Sequence, residues 1–401
     1  MSLFAKISNW FSGMARVFAN QFRLIFKDAG VMLFFVVLPL AYPIVYTLIY
    51  NKELVREIPV AVVDDSRTAA SRDFVRVAGA SPTIKIYDYA DNMSDARRMM
   101  AERKVFGVLY IPYDYSRTIG NGESAHVTFY SDMSLLLRYR AFMAALTDIQ
   151  VKVAGDITGQ RVAEIGADSF LTGDSPLPIA SESNFLGDVE QGFASFVIPG
   201  IVILILQQSM LLGIGMLEGT SRERRRRNGG IDPLRVQGVS ASATVWGRTL
   251  CFFVFYLAFT IYNVQIIPGI FRLPHYGAPA DFLLFLVPFL LASAFLGQTL
   301  VPLMRERESP FILIVATSVV FLFLSGLTWP RYAMGPLWHT VGNLVPATWG
   351  VEGFIRINTN SATLEQNSVP YLWLWGLAAA YMVTAILATA YLNRKAKAAE
   401  N

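Results

Sequence analysis

Of the 401 residues, only one is cysteine and three are histidine. The single thiol, Cys251, lies inside an apolar run, so no intrachain disulfide and no Cys-based metal site can form. His126, His275 and His339 are far apart in sequence, which argues against a His-rich metal centre. A G-x-x-x-x-G-K-[ST] phosphate loop is missing too, so the chain cannot cradle a nucleotide in that manner. Neither G-x-S-x-G nor H-E-x-x-H occurs, and no enzymatic chemistry is supported. Charge is also sparse: Asp, Glu, Lys and Arg make up 16% of residues against 54% hydrophobic, with a mean hydropathy of +0.42.

What is present is a set of long uncharged runs. Val31–Tyr50 holds no charge, and roughly 18 apolar residues as a helix already cross the hydrocarbon of a bilayer. A mostly polar stretch follows, and then five more runs: Phe193–Leu217, Leu250–Pro268, Phe282–Leu303, Phe311–Trp329 and Tyr371–Leu392. Pro39, Pro43, Pro199 and Pro288 fall inside these runs, where neighbouring helices can satisfy the freed backbone groups. The first run is too long for a signal-peptide core and lacks a small-residue cleavage pattern after it, so it is expected to be an uncleaved anchor.

The expected fold is therefore an α-helical polytopic membrane protein with six spans. Residues 1–28 come first, with Leu3, Phe4, Ile7, Phe11, Met14, Phe18, Phe22 and Ile25 at helical spacing. Lys6, Asn9, Ser12, Arg16, Asn20, Arg23 and Lys27 lie mostly on the other side, the pattern of an interfacial amphipathic helix. The first span is placed at 29–50, an inserted α/β domain with a helical stalk at 51–192, a five-helix membrane domain at 193–392, and a tail at 393–401. Lys and Arg decide orientation. The connections 1–28, 217–247, 304–309 and 392–401 hold 15 of them, against 3 in 269–281 and 330–370. Both termini are expected in the cytosol and residues 51–192 outside it. Within the insert, Ile58–Val63, Thr83–Tyr87, Val105–Ile111 and His126–Tyr130 read as strands. Thr68–Ala78 and Met93–Arg103 read as helices, Leu135–Gly166 as the stalk, and 172–188 as a Gly/Ser/Pro-rich loop.

After the second run comes a charged stretch, Glu218-Gly-Thr-Ser-Arg-Glu-Arg-Arg-Arg-Arg-Asn-Gly-Gly-Ile-Asp-Pro-Leu-Arg-Val-Gln-Gly-Val-Ser240. It resembles the segment that follows the second span in the integral membrane subunit of type-2 ATP-binding-cassette exporters, in the branch with a large external domain between the first two spans. The resemblance implies a contact with a separate ATPase through Glu218, Gly219, Arg222 and Glu223, and through a short coupling helix carrying Leu234, Val236 and Val239 with Ser240. The order of the charged residues differs from the family's, and the run Arg224–Arg227 departs from it. Taken alone, that run reads as a positive anchor on anionic lipid headgroups. The turn Arg305-Glu306-Arg307-Glu308 is either a second motor contact or a solvated loop.

Further motifs in the same order extend the resemblance over almost the whole chain. Ile58-Pro-Val-Ala-Val-Val-Asp-Asp-Ser66 and Val105-Phe-Gly-Val-Leu-Tyr-Ile-Pro-Tyr-Asp114 look like the family's opening strand and its later Gly-Val strand. Leu324–Trp338 and Leu344–Trp349 resemble its outer re-entrant segment, placed here at 330–370, with Gly326, Pro330, Pro336 and Pro346 as the gate. Trp329, Trp338 and Trp349 suit a membrane interface. Gln207, Gln208, Gln298, Thr317, Ser318 and Ser325 are polar groups inside the runs: they either bond neighbouring helices or line a transport path.

The resemblance implies a permease subunit that exports an amphiphilic or hydrophobic substrate (lipid, drug or cell-surface precursor) across a bacterial inner membrane. No cofactor is expected in this chain, ATP and Mg being bound by the ATPase partner. A second permease copy, identical or a sibling, is expected as well. A periplasmic adaptor, an outer-membrane channel and membrane lipids are further candidate partners, and nucleic acid is not. The alternative is a motor-free receptor or anchor whose external domain binds a partner.

Overall fold

A computed structural model describes residues 3–50, 55–132, 136–164, 193–229, 231–273 and 275–400. The loop expected at 172–188, and the domain limits at 51 and 192, lie outside the described residues. The chain opens with α1 (Leu3–Lys27) and α2 (Ala29–Ile49). Next come β1 (Ile58–Asp64), α3 (Ala69–Gly79), β2 (Ile84–Tyr89), α4 (Met93–Ala101), β3 (Gly107–Ile111), α5 (Tyr115–Gly120), β4 (Thr128–Ser131) and α6 (Leu136–Glu164). It continues as α7 (Phe193–Arg227), α8 (Ala241–Phe271), α9 (Pro279–Leu300), α10 (Phe311–Leu324), α11 (Pro336–Asn343), α12 (Pro346–Asn360) and α13 (Ser368–Glu400). Two compact units result: Leu54–Asn184, and Met1–Glu53 together with Phe185–Asn401.

The first of these units is a four-stranded sheet in the order β2-β1-β3-β4. β1 pairs in parallel with both β2 and β3, and β3 pairs antiparallel with β4. β1 is central and buried on both faces, which is why Ile58–Asp64 is almost uninterrupted in apolar residues rather than alternating. Val60, Val62, Leu109 and Ile111 pack with Phe74 and Val75 of α3 on one face. Ala61, Val63 and Val108 pack with Ala90 and Ala96 on the other. Asp64 closes β1 by accepting from the Ser66 and Arg67 amides and from Ser71 Oγ at 2.7 Å. α6 is less of a stalk than its sequence implies. Phe142, Leu146 and Ile149 are buried in the sheet's core, so its first half belongs to the domain itself.

The other unit is helical. Five of its helices are long and apolar enough to cross a membrane: Ala29–Ile49, Val197–Arg227, Ala241–Phe271, Pro279–Leu303 and Ser368–Lys395. The run expected to span as Phe311–Trp329 is shorter. Its helix comprises a π segment of 5 residues and an α segment of 9, which at 1.5 Å per residue reaches about 21 Å, short of a hydrocarbon core of roughly 30 Å. The cause is local. Ser325 Oγ bonds back to Leu322 O at 2.7 Å, Gly326 takes φ +87°, and Pro330 cannot extend the helix.

Two prolines of the first span, Pro39 and Pro43, are compensated by side chains of α8. Pro39 and Pro43 lack the N–H groups that α-helical bonding would direct to Phe35 O and Pro39 O. The Tyr256 hydroxyl donates to Phe35 O at 3.3 Å, and Asn263 Nδ2 donates to Pro39 O at 3.0 Å. Both donors come from α8, so the broken ladder of α2 becomes an interhelical tie. The three π segments, Met32–Val37, Tyr262–Ile266 and Phe311–Val315, each lie within two residues of a proline.

α1 packs along α8. Val17 and Ile25 are buried, Trp10 Nε1 donates to Ser242 Oγ at 3.0 Å, and Phe22 stacks on Phe255 with centroids 5.1 Å apart. A second apolar edge stays exposed, at Phe4, Ile7, Phe11 and Phe26. The helix therefore presents one apolar face to its own chain and another outward. The two-faced reading of its sequence had merged these.

Candidate functional site

The charged residues of 218–240 form a bonded joint where α1, α7, α8, α13 and the turn 304–309 meet. α7 does not stop at Leu217, where its apolar run ends. It continues through the arginines to Arg227, because Arg favours helix and the left-handed Gly229, at φ +62°, follows the arginine run. Glu218, Arg222, Glu223 and Arg226 along this extension bond to neighbouring segments. Glu218 is buried against Arg248 of α8, also buried, in an ion pair. Arg222 Nη2 donates to Val301 O at 2.8 Å and Nη1 to Pro302 O at 3.4 Å, satisfying carbonyls at the end of α9. Glu223 Oε1 accepts from the Arg307 amide at 2.8 Å. Arg226 pairs with Glu306 and donates to Arg305 O.

Gly219 has the tightest requirement. A Cβ there would lie 2.4 Å from Glu306 O and 2.8 Å from Arg307 Cα, both backbone atoms that cannot swing away. The 304–309 turn thus rests directly on α7. Asp28 at the start of α2 completes this side: it accepts from the Gly30 and Val31 amides and pairs with Arg307.

Residues 231–240 do not form the expected coupling helix. They are a turn followed by extended chain, with Gly238 at φ +73°. Asp232 explains this. Its carboxylate accepts from Ser221 Oγ, from Arg224 at 3.1 and 3.4 Å, and from the Leu234 amide at 3.1 Å, folding the chain into an Asx turn ahead of Pro233. Burial works to raise the Asp232 pKa, but these hydrogen bonds and the Arg224 charge outweigh it and hold the carboxyl below its ordinary 3.8. Arg235 donates to Asn393 Oδ1 at 2.9 Å, and Asn20 donates to Leu234 O at 2.8 Å. Val239 packs on α1 at Gly13, Val236 is half-buried, and Ser240 caps α8 by accepting from the Ala243 amide. Ile231 and Leu234 are the apolar groups left facing outward, 45% and 37% exposed.

This geometry, a helix pair tied to a protruding loop with an apolar tip, belongs to a chain whose residues 30–387 match the family model of ABC-2 family transporter proteins. The chain belongs to that family. It is a multi-pass membrane protein and an ABC-type permease subunit, a transport component of a kind that is generally not catalytic itself and works with an ATPase. A comparison with curated proteins finds no match.

The permease's intramembrane polar residues divide into three groups. Thr317 and Ser318 bond to carbonyls of their own helix, as Ser325 does. Gln298 Nε2 donates to Thr249 Oγ1 at 2.7 Å, joining α9 to α8. Gln207 Oε1 accepts from the Ala347 amide at 2.7 Å, satisfying an orphan N–H at the start of α12. Gln208 differs: both atoms of its amide are buried with no hydrogen-bond partner among the described residues.

The outer-segment residues are punctuation in the backbone. Gly326 makes the left-handed turn after α10, Pro330 precedes a single 3-10 turn, and Pro336 and Pro346 open α11 and α12. Arg331 holds the segment together. Its guanidinium bonds Glu352 and Asn343 and lies 4.1 Å over the Trp349 ring.

Sequence reading missed Asp28 and Arg248 as members of the joint, did not single out Ser221 and Asp232 within 218–240, and left the turn holding Arg307 open between a motor contact and a solvated loop. Asp28 did carry a signal, an N-cap residue directly before an apolar run. Arg248 carried another, as a lone charge at the mouth of one.

Proposed function

We propose that this permease exports an amphiphilic substrate across a bacterial inner membrane, driven by an ATPase that docks on the joint built from 218–240 and 304–309. The observation that carries this reading is the bonding of the joint. Every element entering it is tied to a neighbour by an ion pair, a helix-end hydrogen bond or backbone contact, so a push on the loop would be transmitted to α1, α7, α8, α9 and α13 together. Ile231 and Leu234 offer the motor an exposed apolar contact, and the surrounding arginines fix its orientation.

In this reading the basic end faces the cytosol, as do both termini, and Leu54–Asn184 is extracytoplasmic. α10 with the turn 325–335 completes a sixth crossing. Two permeases, identical or siblings, enclose the path. The external domain is large enough to meet a periplasmic adaptor. Since the spans place almost no charge within the bilayer, the cargo is an amphiphile rather than an ionic solute.

The test is affinity purification in mild detergent from the native membrane. An ATPase should accompany the wild-type chain and be released by Ile231→Asp with Leu234→Asp. If it stays bound, the docking surface is elsewhere. If no ATPase is ever recovered, the motor-free receptor reading takes its place.

A further inference from the structure

A cavity of about 420 Å³ opens beside the joint, between the end of α1, the start of α2, the end of α7 and the 304–309 turn. Its polar lining is Lys27, Asp28, Thr220, Arg224 and Arg307. Three cations thus face one carboxylate, and that carboxylate is already occupied. Asp28 accepts from two backbone amides, from Arg307 and, at 3.5 Å, from the Thr220 hydroxyl. The donors are not all used. Arg224 spends Nε and Nη2 on Asp232, Arg307 spends Nη2 on Asp28, and Lys27 has no carboxylate in ion-pair range among the described residues. A pocket with three cations, spare donors and a single carboxylate favours an anion.

The remaining walls say which kind of anion. Leu24, Leu217 and Leu234 give the cavity an apolar side, and no aromatic ring lines it on which a nucleobase could stack. Its position is equally specific. Lys27 ends the amphipathic helix and Ala29 begins the first apolar span, so the cavity sits at headgroup level by the chain's own layout. Lys27 at the end of α1 and Arg307 in the 304–309 turn both line the cavity, two separate segments that one anion can engage.

We propose that this cavity binds the phosphate of an anionic lipid headgroup, held by Lys27 and Arg307 with Leu24 and Leu217 against the glycerol and upper acyl chain. A free phosphate ion would satisfy the same donors but gain nothing from the leucines. The site does not depend on the export reading, because its signature is a lipid preference and not transport.

The experiment uses the purified full-length protein in neutral detergent, titrated with phosphatidylglycerol, phosphatidylcholine or inorganic phosphate while thermal unfolding is followed. Phosphatidylglycerol should give a saturable rise in Tm that phosphatidylcholine does not. Lys27→Ala should weaken its apparent affinity about fivefold, the effect of one basic residue at an anionic surface, and Lys27→Arg should restore it. Lys27 is exposed, so its replacement leaves the fold intact. Arg307→Gln supplies a second variant from a separate segment of the lining. If inorganic phosphate alone reproduces the rise and Lys27→Ala removes it, the phosphate site stands and its source is the soluble ion. Equal responses to the two lipids, or a phosphatidylglycerol preference unchanged in both variants, would overturn the proposal.

Discussion

The two ends of the helical unit are held together by different means. At the basic end, five segments converge and ion pairs join separate elements, with Gly219 letting one backbone lie directly on another. At the other end, Arg331 is the charged tie across the segment after α10, and Trp329, Tyr332, Leu337 and Trp338 remain exposed. The first arrangement suits an element that must move as one body. The second suits an element with fewer ties to its neighbours.

The largest expected effect lies at the buried pair. Glu218→Ala strands Arg248 without its counter-charge and should cost roughly 3–5 kcal/mol, read as a fall in Tm. Glu218→Leu combined with Arg248→Met should recover most of that loss. If the double variant is no better than the single one, the pair is not the source of the cost. Next comes Gly219→Ala, where the added methyl meets backbone. About 1–3 kcal/mol is expected, with faster hydrogen exchange confined to 304–309. On the other end, Arg331→Ala should speed exchange through 326–345 and leave 218–240 untouched. Spread of the effect to both ends would erase the contrast drawn between them.

Smaller effects sharpen the comparison. Asp232 has a folded-state pKa below its unfolded value, so its contribution is complete above the ordinary carboxylate range and is lost as pH falls below about 4. The Tm gap between wild type and Asp232→Asn should therefore be constant near neutrality and close under acid. A gap that widened on acidification would reverse the assigned sign. Smallest of all should be Arg226→Ala. Its pair with Glu306 is exposed on both sides, so a change of about 0–1 kcal/mol is expected in urea or heat unfolding.

Much of this architecture is written locally in the chain. Apolar length marks five membrane-length helices, and β-branched runs such as Ile58-Pro-Val-Ala-Val-Val mark strands within a residue or two of where they lie. Where reading failed, a distant or unusual bond decided the outcome. The coupling segment is not helical because Asp232 reaches back to Ser221 and Arg224, a contact with no periodic signature. α10 ends early through a serine back-bond and a left-handed glycine that hydropathy does not register. The pairs Glu218–Arg248 and Asp28–Arg307 join separate helices, and no local pattern links their members. The motif positions were visible as charge and glycine, but their partners were not.

The most direct test is a thiol placed at the loop tip. Cys251 is the only native cysteine and is buried, so Leu234→Cys introduces one reactive group. In native membranes this thiol should cross-link to an ATPase subunit and resist membrane-impermeant reagents added from outside the cell. Labelling of the thiol from outside, with no cross-link to any ATPase, would contradict the account.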